Sequence, residues 1–344
     1  MAHAFGKVVV VGAGAIGGLT AGYLQLGGCP VELVAKHQGI VDLARDPGLE
    51  LSGVKGKTVV PVAAVAQIAQ LTGPLDLVFL ATKATDLLAA ARGLLPLLAP
   101  DALVVSLQNG LCEEALAKVV GRQRVVGCVV GFGATMHGPA RLEMTSGGEF
   151  VIGSLDPPAD PRLEALRGLM SHVVPTRVSG NILGELFAKL IINSCITSLG
   201  ALCGLTLGRM LALAPARKLY LSIMREAMGV AEAMGIKVEA GAGGKLDYYK
   251  YLEGNRGLDE LKRHLVLRLV GFKYRRLKSS SLQSLERGRP TEIEYFNGYL
   301  AQKARDLGVP SPVNRAVTRL IKEIEAGTRA IGPANFTDPS LKGW

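Results

Sequence analysis

The sequence predicts an α/β domain with a mostly parallel sheet, followed by an all-α domain. In the first half, short β-branched runs alternate with helical patterns, which is the order of βαβ units. Shorter alternating segments between residues 124 and 154, punctuated by glycine, predict an antiparallel extension of that sheet. After Ser179–Gly180 the pattern is helical. A chain of 344 residues suits two domains, and we place them at residues 1–181 and 182–344.

The composition fits a well-buried globular protein and narrows the classes of partner. Hydrophobic residues make up 49% and charged residues 20% of the chain, which argues against disorder. The net charge of +10 suits either nucleic acid or an enzyme that handles phosphates and carboxylates. Aromatic residues are only 5%, and no basic run interleaved with them lies near the glycine motif. We therefore favour the enzyme and expect no nucleic-acid partner.

The cysteines and one long apolar run give no sign of a metal or a membrane. The five cysteines have spacings that fit no metal motif, so we expect reduced structural thiols and no metal site. Residues 190–208 carry no charge and could span a bilayer, but polar residues and glycines dilute them. A buried helix in a bundle explains this run better. We expect a soluble cytoplasmic protein with no membrane partner.

A glycine-rich turn directly follows the first predicted strand. It has the form G-x-G-x-x-G and consists of Gly12, Ala13, Gly14, Ala15, Ile16 and Gly17. Gly12 makes the tight turn, Gly14 lets the backbone approach a pyrophosphate, and Gly17 lets helix and strand pack closely. The helix N-terminus then faces the phosphates. We predict a dinucleotide-binding Rossmann domain; the alternative is a glycine-rich turn without a ligand.

The end of the second strand discriminates between the nicotinamide cofactors. NAD sites usually place an acid there for the ribose 2′-hydroxyl, whereas this chain has Lys36, and Glu32 lies earlier, inside the strand. A cation suits a 2′-phosphate, so we predict NADP (NADPH); a solvated loop lysine is the alternative. Lys83 and Asn109 follow two further strands. Because ligands bind beyond the carboxyl ends of parallel strands, we expect both at a cofactor and substrate rim.

A polar stripe marks the first long helix of the second half. Glu185, Lys189, Asn193 and Thr197 are spaced by four and therefore share one face of an otherwise apolar helix. Such a stripe must find partners or water. One interpretation is a structural Glu185–Lys189 pair bordering the core. The other is that the stripe lines a cleft against the nucleotide domain, where Lys189 transfers a proton.

A second polar cluster lies within residues 277–300. Thr291-x-x-Glu294 has the pattern of a capping box, which predicts a helix start and gives Glu294 a structural role. Glu292 has no such role and would lie on the first turn, where the helix dipole favours an anion. We expect this helix to end at Gly308. The tyrosine-bearing, then basic segment 241–278 could be an amphipathic helix covering the bundle or a partner-binding arm.

Five segments, taken in order, resemble the ketopantoate reductase (2-dehydropantoate 2-reductase) family over nearly the whole chain. They are VVGAGAIGG, TKATD, LQNG, FAKLIINSCITSLGAL and SSSLQSLERGRPTEIEYFNG. The resemblance implies an N-terminal Rossmann domain, a C-terminal all-helical domain and an active site between them. It also implies NADPH-dependent reduction of an α-keto acid to its 2-hydroxy acid, within pantothenate synthesis.

The resemblance also implies roles for individual residues. Lys189 would be the general acid that protonates the ketone oxygen, and Glu292 would lie near the nicotinamide ribose and the substrate hydroxyl. The other matched positions bind the substrate, the cofactor or both: Asn193, Ser280 with the residues just before it, Lys83 and Asn109. Thr197 stands where many members carry a second asparagine, so we expect it to touch the substrate. Ser284 stands where an aspartate is usual.

Two other functions share part of this pattern. A related reductase of a different 2-keto acid or of an imine would have the same cofactor and lysine but turn over ketopantoate poorly. A non-catalytic NADP-binding regulator would keep the glycine loop and lose Lys189 and Glu292, yet both are present. We expect a small-molecule 2-keto acid as the partner and leave a homodimer open.

Overall fold

The computed structural model describes residues 5–254 and 257–341. The chain divides into two compact units, the first ending at Leu186 and the second beginning at Phe187. This division falls inside a helix of 22 residues, Ile182–Cys203.

Strands and helices alternate along the first unit, and helices follow one another in the second. The strands are β1 (Val8–Val11), β2 (Val31–Val34), β3 (Leu49–Gly53), β4 (Thr58–Val60), β5 (Ala63–Val65), β6 (Leu75–Leu80), β7 (Leu98–Ser106), β8 (Val125–Val130), β9 (Gly133–Gly138), β10 (Arg141–Ser146), β11 (Phe150–Ser154) and β12 (Thr176–Val178). The helices are α1 (Ala15–Leu26), α2 (Gln38–Leu43), α3 (Leu87–Leu94), α4 (Glu113–Val120), α5 (Leu163–Met170), α6 (Ile182–Cys203), α7 (Leu207–Ala212), α8 (Ala214–Ala233), α9 (Gly241–Gly244), α10 (Tyr248–Leu252), α11 (Gly257–Lys273), α12 (Ser280–Glu286), α13 (Asn297–Leu307) and α14 (Pro312–Glu325).

The main sheet of the first unit has eight strands in the order β12-β11-β8-β7-β6-β1-β2-β5. Strand β1 is parallel to both β2 and β6, and β11 joins β8 in the antiparallel sense. All four valines of β1 are buried, as expected for a central parallel strand covered on both faces. The predicted mostly parallel sheet with an antiparallel extension is confirmed.

Part of the predicted antiparallel extension belongs to a second, four-stranded sheet. Its order is β4-β3-β10-β9, with β10 antiparallel to β9 and parallel to β3. Strands β9 and β10 therefore leave the main sheet, because β10 finds its second partner in the distant β3. Helix α1 packs tightly against this sheet, since a Cβ on Gly18 would lie 2.5 Å from the Leu142 side chain and one on Gly22 would lie 2.8 Å from Leu51.

The second unit is helical, as predicted. Helix α6 is long and apolar enough to cross a membrane, but 78% of its most apolar window is buried within the protein, as in the core helix of a bundle. Helix α13 ends where predicted, with Leu307 as its last residue and Gly308 as its C-cap in the left-handed conformation, at φ 71°.

The predicted capping box at Thr291 is wrong. Thr291 donates from its backbone nitrogen and its hydroxyl to Oε1 of Glu325, at 2.7 and 2.6 Å. Glu294 instead forms an ion pair of 3.3 Å with Lys322. Residues Ile293–Tyr295 form a single 3₁₀ turn before α13, so Glu292 caps that turn and does not lie on the first turn of a long helix. The partner of Thr291 is therefore Glu325, which is distant in sequence, and not the nearby Glu294.

The five cysteines are all buried, and none of them is in a disulfide bond. Burial raises the pKa of Cys195 well above its usual range and that of Cys203 to about 11, so both stay in the thiol form at neutral pH. Within residues 5–254 and 257–341, no three His, Cys, Asp or Glu side chains are grouped to hold a metal ion.

Candidate active site

The glycine loop after β1 forms an open cradle. A Cβ on Gly12, whose φ is 112°, would lie 2.7 Å from the carbonyl of Ala81, and one on Gly17 would lie 1.9 Å from the oxygen of Gly12. Both positions therefore require glycine. A Cβ on Gly14 would meet nothing within 4 Å, and Gly14 is the exposed N-cap of α1. The backbone and the helix N-terminus are thus open to a pyrophosphate.

The neighbouring loop residues share this opening. Ala13, Ala15 and Ile16 are partly exposed, and the first turn of α1 carries no acidic residue that would repel phosphate. Strand order reverses at β1, which has β2 on one side and β6 on the other. This is the point of a doubly wound sheet where a crevice forms for a ligand.

Three predicted cofactor residues lie at the same carboxyl edge. Lys36 follows β2, Lys83 follows β6 and Asn109 follows β7; both lysines are exposed, and Asn109 is partly exposed. In the described part of the chain, neither lysine forms an ion pair. The structure therefore brings the three loops to the edge that also carries the glycine cradle.

Gln108 organises this edge, a role that the sequence did not indicate. Its side-chain nitrogen donates to the backbone oxygens of Leu80 and Thr82, at 3.0 and 3.2 Å, while its oxygen accepts from the Ser106 hydroxyl at 2.9 Å. The buried amide ties the end of β6 to the end of β7. The loops that carry Lys83 and Asn109 are thereby held together.

Glu32 forms an ion pair with Lys7. Its carboxylate lies 3.0 Å from the ammonium of Lys7, inside β2 and level with Val9 of β1. The acid nearest the end of β2 in sequence is thus paired within the strand and does not follow it.

In the second unit, the predicted polar stripe runs along the partly exposed side of α6. Lys189 and Asn193 are both partly exposed, whereas Thr197 is buried, and its hydroxyl donates to the backbone oxygen of Asn193. Such a bond back to the preceding turn is common for threonine in helices. Glu185 belongs to the first unit, where Arg177 donates to its carboxylate at 2.7 Å.

The buried Ser279 anchors the serine cluster on α6. Its hydroxyl donates to the backbone oxygen of Thr197 and accepts from the backbone nitrogen of Leu282, both at 3.2 Å. Gly200 makes room for it, since a Cβ there would lie 2.6 Å from the Ser279 oxygen. Ser280, the first residue of α12, is exposed and is held beside Thr197 by this contact.

A buried amide network fixes the other polar cluster. Asn297 donates to the backbone oxygen of Ser194 at 3.2 Å and to the side chain of Asn314 at 2.9 Å; Asn314 in turn donates to Glu226 at 2.6 Å. This chain links α6, α13, α14 and α8. It holds the segment that carries the partly exposed Glu292 against α6, and no local pattern in the sequence indicates it.

Tyr248 anchors the start of segment 241–278. It is fully buried, and its hydroxyl donates to the backbone oxygen of Ala188 at 2.5 Å, directly before Lys189. Burial raises the pKa of Tyr248 far above its usual range, so the phenol stays neutral. Gly241 accommodates the contact, because a Cβ there would lie 2.3 Å from the phenolic oxygen.

A Rossmann-type sheet with an open glycine cradle, followed by a helical unit with a lysine–asparagine face, defines an NAD(P)-binding oxidoreductase. Two family models match this chain: "Ketopantoate reductase PanE/ApbA" over residues 8–157 and "Ketopantoate reductase PanE/ApbA C terminal" over residues 181–325. The chain belongs to the ketopantoate reductase family.

Relatives match almost end to end. A 2-dehydropantoate 2-reductase of Mesorhizobium japonicum is 27% identical over 92% of this chain and 97% of its own length. One of Archaeoglobus fulgidus is also 27% identical, over 93% and 98%. Among solved structures, a PanE/ApbA family ketopantoate reductase from Ralstonia eutropha JMP134 is 30% identical, with a TM-score of 0.80 over 94% of this chain and all of that one.

Proposed function

We propose that this protein reduces 2-dehydropantoate to pantoate with NADPH. The observation that carries the proposal is the near-complete match to relatives named 2-dehydropantoate 2-reductase, which spans both the glycine cradle and the lysine face of α6. We assign cofactor binding to residues 1–181, and substrate binding and dimerisation to residues 182–344. We expect the enzyme to work in the cytoplasm on a small 2-keto acid.

The cradle of Gly12, Gly14 and Gly17 would hold the pyrophosphate, with Lys83 and Asn109 at the same edge. When bound, the reduced nicotinamide supplies a hydride to the keto carbon. Negative charge then grows on the carbonyl oxygen, and a positioned N–H donor stabilises it. We assign that donor to the Lys189 ammonium, which stabilises the oxygen and transfers a proton to it.

The remaining groups position the substrate. The partly exposed Asn193 offers an amide to the keto acid, and Ser280 is exposed beside Thr197 to bind the carboxylate. Glu292 would accept from the substrate hydroxyl and from the nicotinamide ribose. Asn109, partly exposed beyond β7, can donate to either substrate or cofactor. The basic net charge of the chain suits both anionic ligands.

The preference for NADPH rests on Lys36. It is an exposed cation at the end of β2, while Glu32 is held by Lys7. A hydrogen bond to a charged group contributes about 1.5–3 kcal/mol, so we expect Lys36→Ala to raise the KM for NADPH by about 10- to 100-fold and to leave that for NADH unchanged. Steady-state kinetics with both cofactors measures this.

Lys57→Ala is the matched control for Lys36, because it removes another exposed lysine of the same unit. We expect it to change neither constant. An unchanged preference for NADPH in Lys36→Ala would assign the 2′-phosphate contact to another group.

NADPH oxidation against a panel of 2-keto acids tests the function itself. We expect 2-dehydropantoate to give the highest kcat/KM. The panel should include smaller aliphatic and larger aromatic keto acids as well as imines. Higher kcat/KM on another compound would make this protein a related reductase, and binding of NADPH without turnover of any compound would favour a regulator.

One observation favours a related reductase as the second candidate. The Thr197 hydroxyl donates to the backbone of its own helix and its residue is only 7% exposed, so it offers less to a substrate than an asparagine amide would. A substrate with one polar group fewer than 2-dehydropantoate would suit such a site.

A further inference from the structure

An open pocket lies between α7 and the end of α11 in the second unit. Its volume of about 690 Å³ is usual for a small-molecule site. Two glycines bring the helices together there, since a Cβ on Gly208 would lie 2.7 Å from the Arg275 backbone and one on Gly271 would lie 2.9 Å from Leu211. Among the described residues that line the pocket, none is assigned above to cofactor or substrate.

Four exposed arginines line this pocket: Arg209 on α7, Arg268 on α11, and Arg275 and Arg276 directly after α11. In the part of the chain that the structure describes, none of the four forms an ion pair, and no Asp or Glu lines the pocket. The sequence explains this imbalance, because residues 186–225 and 261–285, which meet here, contain no acidic residue. Positive charge therefore accumulates at the pocket.

A fifth arginine adds to this charge. Arg217 donates from Nε to Nδ1 of His264 at 3.2 Å and from its guanidinium to the backbone oxygens of Leu211 and Ala212, both at 2.8 Å. These acceptors are neutral and leave its charge in place. Burial and the nearby positive charge of Arg268 lower the pKa of Arg217. Guanidinium groups that repel one another become more stable when an anion binds among them.

We propose that this pocket, which we call the arginine pocket, binds a nucleoside diphosphate. Arginine presents a planar fork of donors that fits two phosphate oxygens at once. A single carboxylate would leave most of the arginine charge in the pocket unneutralised, whereas two linked phosphate groups offer several negative charges close together. The arginines therefore favour a diphosphate over a simple organic acid.

Phe272 offers a surface for the nucleobase. It lines the arginine pocket and is 70% exposed, and the guanidinium carbon of Arg275 lies 5.5 Å from the centre of its ring. A cation over an aromatic face is attracted to it, so Phe272 helps to hold Arg275 at the pocket. Bases stack on exposed aromatic rings beside phosphate-binding groups. We therefore expect the base on Phe272 and the phosphates on the arginines.

Calorimetric titration of ADP into the full chain tests the site, with one equivalent of NADPH added to fill the glycine cradle. We expect Arg268→Gln/Arg275→Gln to weaken ADP binding at least 100-fold, because two charge-assisted contacts are lost. Arg287→Gln/Arg315→Gln removes two exposed arginines of the same unit that do not line the pocket, and it should leave ADP binding unchanged. Circular dichroism checks that each variant is folded.

Phe272→Ala separates a nucleotide from free phosphate. We expect it to weaken ADP binding about tenfold and to leave the binding of inorganic pyrophosphate unchanged. Equal affinity of the wild type for pyrophosphate and ADP would overturn the nucleotide and assign the pocket to inorganic polyphosphate. No ADP binding to the wild type, or equal binding by the two double variants, would overturn the site. A wild type that binds phosphatidylserine vesicles but not ADP would assign the arginines to an anionic membrane.

Discussion

Lys189→Ala is expected to lower kcat by about 10²–10⁴-fold, the usual contribution of a positioned general acid. The ketone oxygen would lose both the cation that stabilises its growing charge and its proton donor. NADPH affinity should stay nearly unchanged, because the glycine cradle, Lys36 and Lys83 lie in the other unit. Single-turnover kinetics with 2-dehydropantoate and fluorescence titration of NADPH separate the two effects.

Lys218→Ala serves as the control, since it removes an exposed lysine from the neighbouring α8 of the same unit. It should keep full activity. Near-normal turnover in Lys189→Ala would refute the assignment, and equal losses in both variants would point to a general charge effect. A loss of NADPH affinity in Lys189→Ala alone would make the lysine a cofactor ligand.

The sequence predicted most of the cofactor half because its signals are local. Buried parallel strands appear as short β-branched runs such as that of β1, and the loop glycines are required by contacts with adjacent backbone. Residues at the ends of strands, such as Lys83 and Asn109, could be placed at one edge without knowing any side-chain contact. The helical face of Lys189 and Asn193 likewise follows from a spacing of four.

Features that depend on distant partners could not be predicted. Strand β10 pairs with β3, about ninety residues earlier, and alternation alone does not choose a partner. Thr291 donates to Glu325 and not to the nearby Glu294, because α14 places the Glu325 carboxylate next to the Thr291 backbone nitrogen. The amides of Asn297 and Gln108 join separate elements in the same way, and only the folded chain shows these contacts.

Helix α11 also could not be predicted from its sequence pattern, because large apolar residues such as Leu258 and Leu265 are exposed. Hydrophobic periodicity predicts an amphipathic helix, and the usual assumption is that its apolar side faces the core. In α11, Arg263 occupies the buried side and donates to the backbone oxygens of Tyr251 and Leu252, at 2.8 and 3.1 Å. The same guanidinium donates to the Glu260 carboxylate at 2.8 Å. Because carbonyl oxygens and this carboxylate satisfy its donors, the arginine can be buried, and the leucines are left exposed.

Two glycine substitutions in the loop after β1 should separate folding from cofactor binding. Gly17→Ala puts a Cβ 1.9 Å from the oxygen of Gly12 and 2.7 Å from the Cβ of Ala81. The backbone oxygen of Gly12 cannot move aside as a flexible side chain can. Helix α1 must therefore shift away from the sheet to make room for the new methyl group. We expect the free energy of unfolding to fall by about 3 kcal/mol, the upper range for overpacking. Denaturation in urea without cofactor measures it.

Gly14→Ala is the matched partner of that experiment. Its Cβ meets nothing within 4 Å, and its φ of −72° suits alanine, so stability should stay within about 0.5 kcal/mol. The methyl group nevertheless occupies the opening over the N-terminus of α1, where a pyrophosphate would approach the backbone. We expect NADPH affinity to fall at least about tenfold. Normal NADPH affinity in Gly14→Ala would show that the pyrophosphate does not bind at this opening. Native stability in Gly17→Ala would contradict the tight contact of α1 with Gly12 and Ala81.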